Sequence, residues 1–389
     1  MERHPSPRPS RRLGDLVQSD IRRMTRECEK VGGINLGQGI CDLPTPPLVR
    51  EGAIAAIRAN RSTYSFPEGD LSLRREIGKK LDRQNGIRAD PATEIVVTVG
   101  ATGAFAAAVH ALLDPGDGIL LFEPYYGYHL NAALLAGLEP HFLALEEPDF
   151  ALREAALRAA IRPNTRAVVV CTPSNPSGKM FDRSELEILA RVARERGLLV
   201  ITDEIYEHIR YDGREHVSPA TVADLRERTV TIMGLSKTFS ITGGRLGYAV
   251  APQELARAIT LAHDLFYVCA PTPLQHGAAE GFRAPESFFE ELAAAYGRKR
   301  EAICAALSAG GLAPIVPQGA YYVLADVSAL GFTSARAAAS ALLAKAGVAT
   351  IPGTAFFRGA GGERFVRVCY AKEDDVLAEA CGRLRRFRR

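Results

Sequence analysis

What this 389-residue chain lacks narrows it first. No apolar run approaches the ~18 residues that a membrane-crossing helix needs, so no membrane partner is expected. The Arg- and Pro-bearing start, Met1 to Arg12, has no apolar stretch behind it and does not read as a secretory signal. The seven cysteines, at 28, 41, 171, 269, 304, 369 and 381, are odd in number, and none stands in a C-x-x-C pair. Several lie in apolar runs, as Cys171 does in AVVVCTP, which suits buried, reduced thiols in a cytoplasmic protein rather than a disulfide framework. The eight histidines show no H-x-x-x-H and no mixed Cys/His ligand spacing, so no metal site is expected. No repeat or low-complexity segment appears beyond the basic tip.

What is present is ordinary in bulk: 47% hydrophobic and 24% charged residues, the composition of a globular protein with a large core. The net charge of +3 is informative only once located. Four arginines fall within residues 1–12 and five within 383–389; without these nine and Glu2 the body carries −5. Nothing basic or aromatic continues from either end into the body, so the ends read as solvated tails and no nucleic-acid partner is expected.

Through the middle of the chain, runs that are apolar on both faces alternate with helical stretches. The runs are EIVVTV (94–99), GILLFE (118–123), RAVVVC (166–171), LLVITD (198–203), TVTIMG (229–234) and LGYAVA (246–251). Such runs suit strands of a mostly parallel sheet with helices on both sides; SELEILARVARERG (184–197), for example, has helical spacing and closes on a glycine. An α/β domain over residues 46–285 is expected. The last third changes texture: a long helical stretch leads to GAYYVLADV and RFVRVCYA, which alternate like half-buried strands. A smaller α+β domain over 286–389 is expected, completed by an N-terminal segment, residues 1–45, of which 1–12 are expected to be disordered.

Open parallel sheets bind ligands beyond the carboxyl ends of their strands. After the first run stands Gly100-Ala101-Thr102-Gly103, opening a helix whose N–H groups either approach a phosphate or simply make a tight turn. It is neither a dinucleotide fingerprint nor a P-loop, and Gly178-Lys179-Met180 lacks the Walker glycine and hydroxyl. Within Thr172-Pro173-Ser174-Asn175-Pro176-Ser177-Gly178, Asn175 is either turn chemistry or an amide aimed at a ligand. Asp203 ends a fully apolar strand, a costly position without a cation; it either caps a following helix or serves as counter-ion to a protonated ring nitrogen, with Tyr206 aimed at the same place. In Ser236-Lys237-Thr238, a lysine at the end of an apolar strand is open to desolvation, which lowers its pKa and leaves a nucleophilic amine for Schiff-base chemistry. Ser236 and Arg245 supply a hydroxyl and a fork donor suited to phosphate. Together these residues describe pyridoxal phosphate: Lys237 for the imine, Asp203 for the pyridine nitrogen, Asn175 and Tyr206 for the phenolic oxygen.

The order of these motifs resembles the fold type I, class I/II aminotransferases over nearly the whole chain. The stretch Ile34-Asn35-Leu36-Gly37-Gln38-Gly39, then Pro44-Thr45-Pro46, looks most like the kynurenine/glutamine/aspartate-type branch. The resemblance implies that Tyr64, in STYSFPEGD, reaches the cofactor phosphate of a neighbouring subunit in a homodimer. It implies that Tyr126 stacks on the pyridine ring, with Ala101 and Thr102 at the phosphate, that Arg367 clamps the substrate α-carboxylate, and that Gly39 lends it a backbone N–H. Tyr126 stands where relatives more often carry Trp or Phe, in a chain with no Trp at all, and Ala101 replaces a hydroxyl residue. The implied activity is amino-group exchange between an L-α-amino acid and a 2-oxo acid in two half-reactions, with Lys237 as base and acid. β- or γ-Elimination, of the cysteine-conjugate lyase type, and synthase chemistry share Lys237 and Asp203 and stand as alternatives. A ligand-sensing module of the same shape would need an extra N-terminal domain that residues 1–30 are too short to form. Tyr125, Tyr126, Tyr128, Phe356 and Phe357 either favour a bulky apolar substrate or pack the core; Arg50, Arg61 and Arg358 are loop candidates for a side-chain carboxylate.

Overall fold

The computed structural model describes residues 10, 13, 20–222 and 225–388. The expectation that residues 1–12 are disordered thus falls, apart from Ser10, outside the described residues.

Among the described residues, thirteen strands make three sheets. β1 (Ile34–Asn35) pairs in parallel with β11 (Val348–Ala349). A seven-stranded sheet is built from β2 (Ile95–Val99), β3 (Gly118–Glu123), β4 (Glu139–Ala144), β5 (Thr165–Cys171), β6 (Leu199–Asp203), β7 (Thr229–Gly234) and β8 (Leu246–Val250), in the order β2-β8-β7-β6-β5-β3-β4. Every pair is parallel except those made by β8, which runs against both β2 and β7. The six apolar runs are therefore all strands, with bounds moved by a residue at most. β4, one of the two edge strands, escapes a search for doubly apolar runs because it is exposed at Glu139 and Ala144 and deeply buried only at His141 and Leu143.

The core follows from side-chain alternation. Leu120, Phe122, Val168, Val170 and Val200 pack on one face of the sheet, and Ile119, Leu121, Ala167, Val169 and Ile201 on the other. Each such side chain taken fully out of water contributes about 1.5–3 kcal/mol, which explains why these strands carry no polar face. The helix Gly100–Leu112 covers the second face with Ala104, Phe105, Ala107, Ala108 and Val109. The helix Arg183–Arg196 ends on Gly197 in the left-handed region, as its spacing predicts, and begins with a capping box between Asp182 and Glu185. Glu185 also holds Lys179 at 2.9 Å, so the lysine of Gly178-Lys179 is a buried structural cation.

In the last third, β9 (Ala313–Ile315), β10 (Tyr322–Asp326), β12 (Ile351–Pro352) and β13 (Phe365–Cys369) form an antiparallel sheet in the order β12-β13-β10-β9. The N-terminal segment is tied to it: the Cys369 N–H donates to the Leu36 carbonyl at 2.7 Å, and Lys372 reaches Asp42 at 2.6 Å. Two expectations are corrected. Residues 383–388 are not a solvated tail, because the helix Asp374–Arg385 extends into them and Leu384 and Phe387 are buried. No regular helix follows Asp203; residues 205–208 form turns, so an N-cap role falls away. All seven cysteines are free, though Cys171, Cys269 and Cys304 are only partly buried.

Candidate active site

The parallel strands end along one edge of the large sheet, and the site is assembled there. β7 stops at Gly234, and the single helical turn Leu235–Thr238 carries Ser236 and Lys237. Because β8 is antiparallel, its first residues return to the same edge: Gly247 pairs with Gly234, and Leu246 with Val99 at the end of β2. That register brings Arg245 against Gly100. Gly100 has φ +68°, which favours glycine, and a Cβ there would lie 2.8 Å from the tip of the Arg245 guanidinium.

A cavity of about 390 Å³ opens at this edge. Gly39, Ala101, Thr102, Tyr126, Asn175, Asp203, Tyr206, Ser236, Lys237, Arg245 and Arg367 all line it, from the ends of five strands, the start of β8, the N-terminal segment and β13. Of the residues assigned from the sequence to the cofactor and the α-carboxylate only Tyr64 is elsewhere, 81% exposed on the surface of the chain.

Each side chain is held by identifiable partners. Lys237 donates to the Gly39 carbonyl at 3.1 Å, and burial pushes its pKa down from the ordinary lysine value, so its amine sheds its proton more readily than a surface lysine does. The Asp203 carboxylate meets His129 Nε2 at 3.0 Å, both groups buried, and His129 is itself stacked on Phe105. The Tyr206 hydroxyl donates to the Tyr322 hydroxyl at 3.1 Å, and burial pushes the phenol pKa up, so it stays protonated. Arg367, 1% exposed, donates to the Asn175 amide oxygen at 2.9 Å and to the Gly37 carbonyl at 2.6 Å, with its guanidinium stacked over Tyr322 and Phe356. Its Nε is buried with no partner. A buried donor of that kind is costly unless something accepts from it, and a carboxylate entering the cavity is the matching acceptor.

Sequence reasoning missed His129 and Tyr322. His129 stands three residues after Tyr126, one helical turn along Gly127–Leu135, and that spacing was the available signal. Tyr322 is the second tyrosine of GAYYVLADV and touches the strap at Gly39: a Cβ on Gly39 would lie 1.9 Å from its hydroxyl. Tyr125, Tyr126, Tyr128, Phe356 and Phe357 line a second cavity of about 510 Å³ that shares Ile21, Tyr126 and Tyr128 with the first. Of the loop arginines, Arg358 lines this second cavity, and Arg50 and Arg61 line neither.

Residues 31–384 match the family described as aminotransferase class I and II. The chain belongs to that family. It is 35% identical over 385 residues to the probable N-succinyldiaminopimelate aminotransferase DapC of Mycobacterium tuberculosis, covering 96% of this chain and 97% of that one. It is 36% identical to the aspartate aminotransferase of Pyrococcus abyssi, covering 92% of each. Among solved structures, the N-succinyldiaminopimelate aminotransferase from M. tuberculosis superposes with a TM-score of 0.94 at 34% identity, over 97% of this chain and 99% of that one.

The protein is thus a pyridoxal-phosphate-dependent aminotransferase of the fold type I class, acting on amino acids and 2-oxo acids. Its residues fit that cofactor: a helix N-terminus at Gly100, Ser236 and Arg245 at one end, Asp203 and Lys237 beyond them, and an unpartnered buried guanidinium donor for the substrate. Among the described residues no group of His, Cys, Asp and Glu is arranged to hold a metal ion, and no helix is long and apolar enough to cross a membrane.

Proposed function

We propose that Lys237 carries the cofactor and moves the substrate proton, that Asp203 is the counter-ion of the pyridine nitrogen, and that Arg367 binds the α-carboxylate. Ala101, Thr102, Ser236 and Arg245 hold the phosphate, Tyr126 lies on the ring, and Asn175 and Tyr206 hold its phenolic oxygen. The observation that carries this reading is that Arg367, held by Asn175 and Gly37 and keeping an unpartnered donor, lines the same cavity as the desolvated Lys237.

When bound, pyridoxal phosphate supplies an electron sink that acidifies the substrate Cα–H. The protein does the rest. Arg367 fixes the α-carboxylate through a guanidinium already oriented by Asn175 and Gly37, so little side-chain entropy is lost on binding. Gly39, at the same strap, offers its N–H to that carboxylate. Lys237, whose pKa burial lowers, is placed to take the proton from Cα as general base and then to act as general acid. Asp203, held by His129 Nε2 at 3.0 Å, would face the ring nitrogen. Tyr64 completes the phosphate site of a second subunit in a homodimer, which accounts for its exposure on a single chain. The remaining assignments are a division into residues 1–45, 46–285 and 286–389 and a cytoplasmic location, for which seven free cysteines speak.

The test is the near-visible spectrum of the purified protein with a panel of L-amino acids. Conversion of the lysine-bound cofactor band to the pyridoxamine form, abolished in Lys237→Ala with the melting temperature retained, is expected. Persistence of the band with release of pyruvate and ammonia identifies elimination instead, and an active Lys237→Ala variant refutes the role of Lys237.

A further inference from the structure

We propose that Tyr322 is a positioning residue for the cofactor: its hydroxyl donates to the Tyr206 oxygen, so that the single proton of Tyr206 stays aimed at the phenolic oxygen. This rests on the assignment of Tyr206 to that oxygen. The two hydroxyls lie 3.1 Å apart, both side chains are buried, and both line the main cavity. A phenol has one proton to give and an oxygen that can accept. Either member of the pair can therefore be the donor, and a Tyr206 that donates to the cofactor is left as an acceptor toward Tyr322.

Sheet register and packing fix where Tyr322 sits. It opens β10 opposite Cys369 of β13, and Leu324, two residues on, lies opposite Arg367. Residues two apart on a strand share a face, so Tyr322 and Arg367 are diagonal neighbours across the two strands. The Arg367 guanidinium accordingly lies over the Tyr322 ring, 4.5 Å from its centre. Tyr206 and Tyr321 pack against the same ring at 5.8 and 4.8 Å, and the hydroxyl end meets Gly39. The Tyr321 hydroxyl is taken up by the Gly39 carbonyl at 3.3 Å, which leaves Tyr206 to Tyr322. Burial pushes the Tyr322 phenol up, so it keeps its proton, while the charge of Arg367 works in the opposite direction and makes the O–H a better donor. Asp203, Tyr126, Tyr321 and Cys369 also act on the pair, and Asp203 is itself held by His129. A chain from Tyr322 through Tyr206 to the phenolic oxygen strengthens its last bond, because each donor polarises the next. It favours negative charge on that oxygen.

The test is the pH titration of the near-visible band of the lysine-bound cofactor in the holoenzyme, compared among wild type, Tyr206→Phe, Tyr322→Phe and the double variant, with the melting temperature as control. Tyr206→Phe removes a charge-assisted bond to the phenolic oxygen and is expected to raise the midpoint by about 1–2 units. Tyr322→Phe is expected to raise it by about 0.3–0.6 unit, since polarisation along a chain is a fraction of the bond it strengthens. In the Tyr206→Phe background the same change is expected to add nothing, because Tyr322 acts through Tyr206. A fall in Tyr322→Phe means that Tyr322 competes for the Tyr206 proton, and that outcome, or no shift, refutes the proposal. A shift that survives in the double variant also refutes it, since Tyr322 then acts on the cofactor without Tyr206. If Tyr206→Phe itself leaves the midpoint in place, the assignment of Tyr206 fails and the proposal with it.

Discussion

Replacing Arg367 by methionine tests the site at its most exposed assumption. The guanidinium is 1% exposed, commits one N–H to Asn175 and one to Gly37, and lies between Tyr322 and Phe356. Of its five donors three remain, one of them the unpartnered Nε. A carboxylate taking two of these gains charge-assisted bonds of about 1.5–3 kcal/mol each. Their loss is therefore about 3–6 kcal/mol, or a fall in kcat/KM of about 10²- to 10⁴-fold. Methionine keeps an unbranched, polarisable chain between the two rings, so packing is largely retained. The buried charge disappears together with the bonds that compensated it, so a folded variant is expected. The assay is kcat/KM for a panel of amino acids that differ in size and charge, with the melting temperature as control. Because every substrate carries an α-carboxylate, the loss should be of the same order throughout, and Arg367→Lys should fall between. A loss below tenfold, or one confined to a single amino acid, refutes the assignment.

Tyr64 across a subunit interface makes a complementation prediction: mixing inactive Tyr64→Ala and Lys237→Ala chains should restore up to about a quarter of wild-type activity, since each mixed dimer holds one intact site; no recovery on verified mixing counts against it. Gly39→Ala should press on the Tyr322 hydroxyl, cost about 1–3 kcal/mol and lower kcat/KM, with partial recovery when Tyr322→Phe is added; recovery absent, the close approach is not the cause. His263 is wholly buried, accepts the Val99 N–H at 3.1 Å, and is pushed down to about 4 by burial. The unfolded chain takes up that proton near pH 6.5, so the contribution of neutral His263 is complete above that pH and shrinks as pH falls toward 4. Between pH 7 and 5 it should weaken stability by about 2 kcal/mol; denaturant melts of wild type and His263→Gln with the same pH slope would refute this.

The large sheet was legible because burial on both faces writes itself into a strand as an unbroken apolar run. β4 was not, because it is exposed at both ends and deeply buried only at His141 and Leu143, unlike the opposite edge strand β2, which is covered. The chemistry-bearing residues Asn175, Asp203 and Lys237 were legible for a related reason: a buried charged or amide group at or just beyond the end of an apolar strand needs a partner. The partners themselves were hidden. His129 meets Asp203 across 74 residues, and Tyr322 meets Tyr206 across 116. The basic C-terminus misled, since a run of arginines conceals the burial of Leu384 and Phe387 between them.

By itself, then, the order of residues determined an α/β sheet, the edge at which its strands end, and the set of groups that suits pyridoxal phosphate. Those are local properties, set by periodicity and by the cost of burying a charge. Only the tertiary structure decided that Arg367 keeps an unpartnered donor, that His129 faces Asp203, that Gly39 must be glycine, and that Tyr322 lies against both Tyr206 and Arg367. Each of these depends on which distant segments share one small volume, and chain folding alone brings them there.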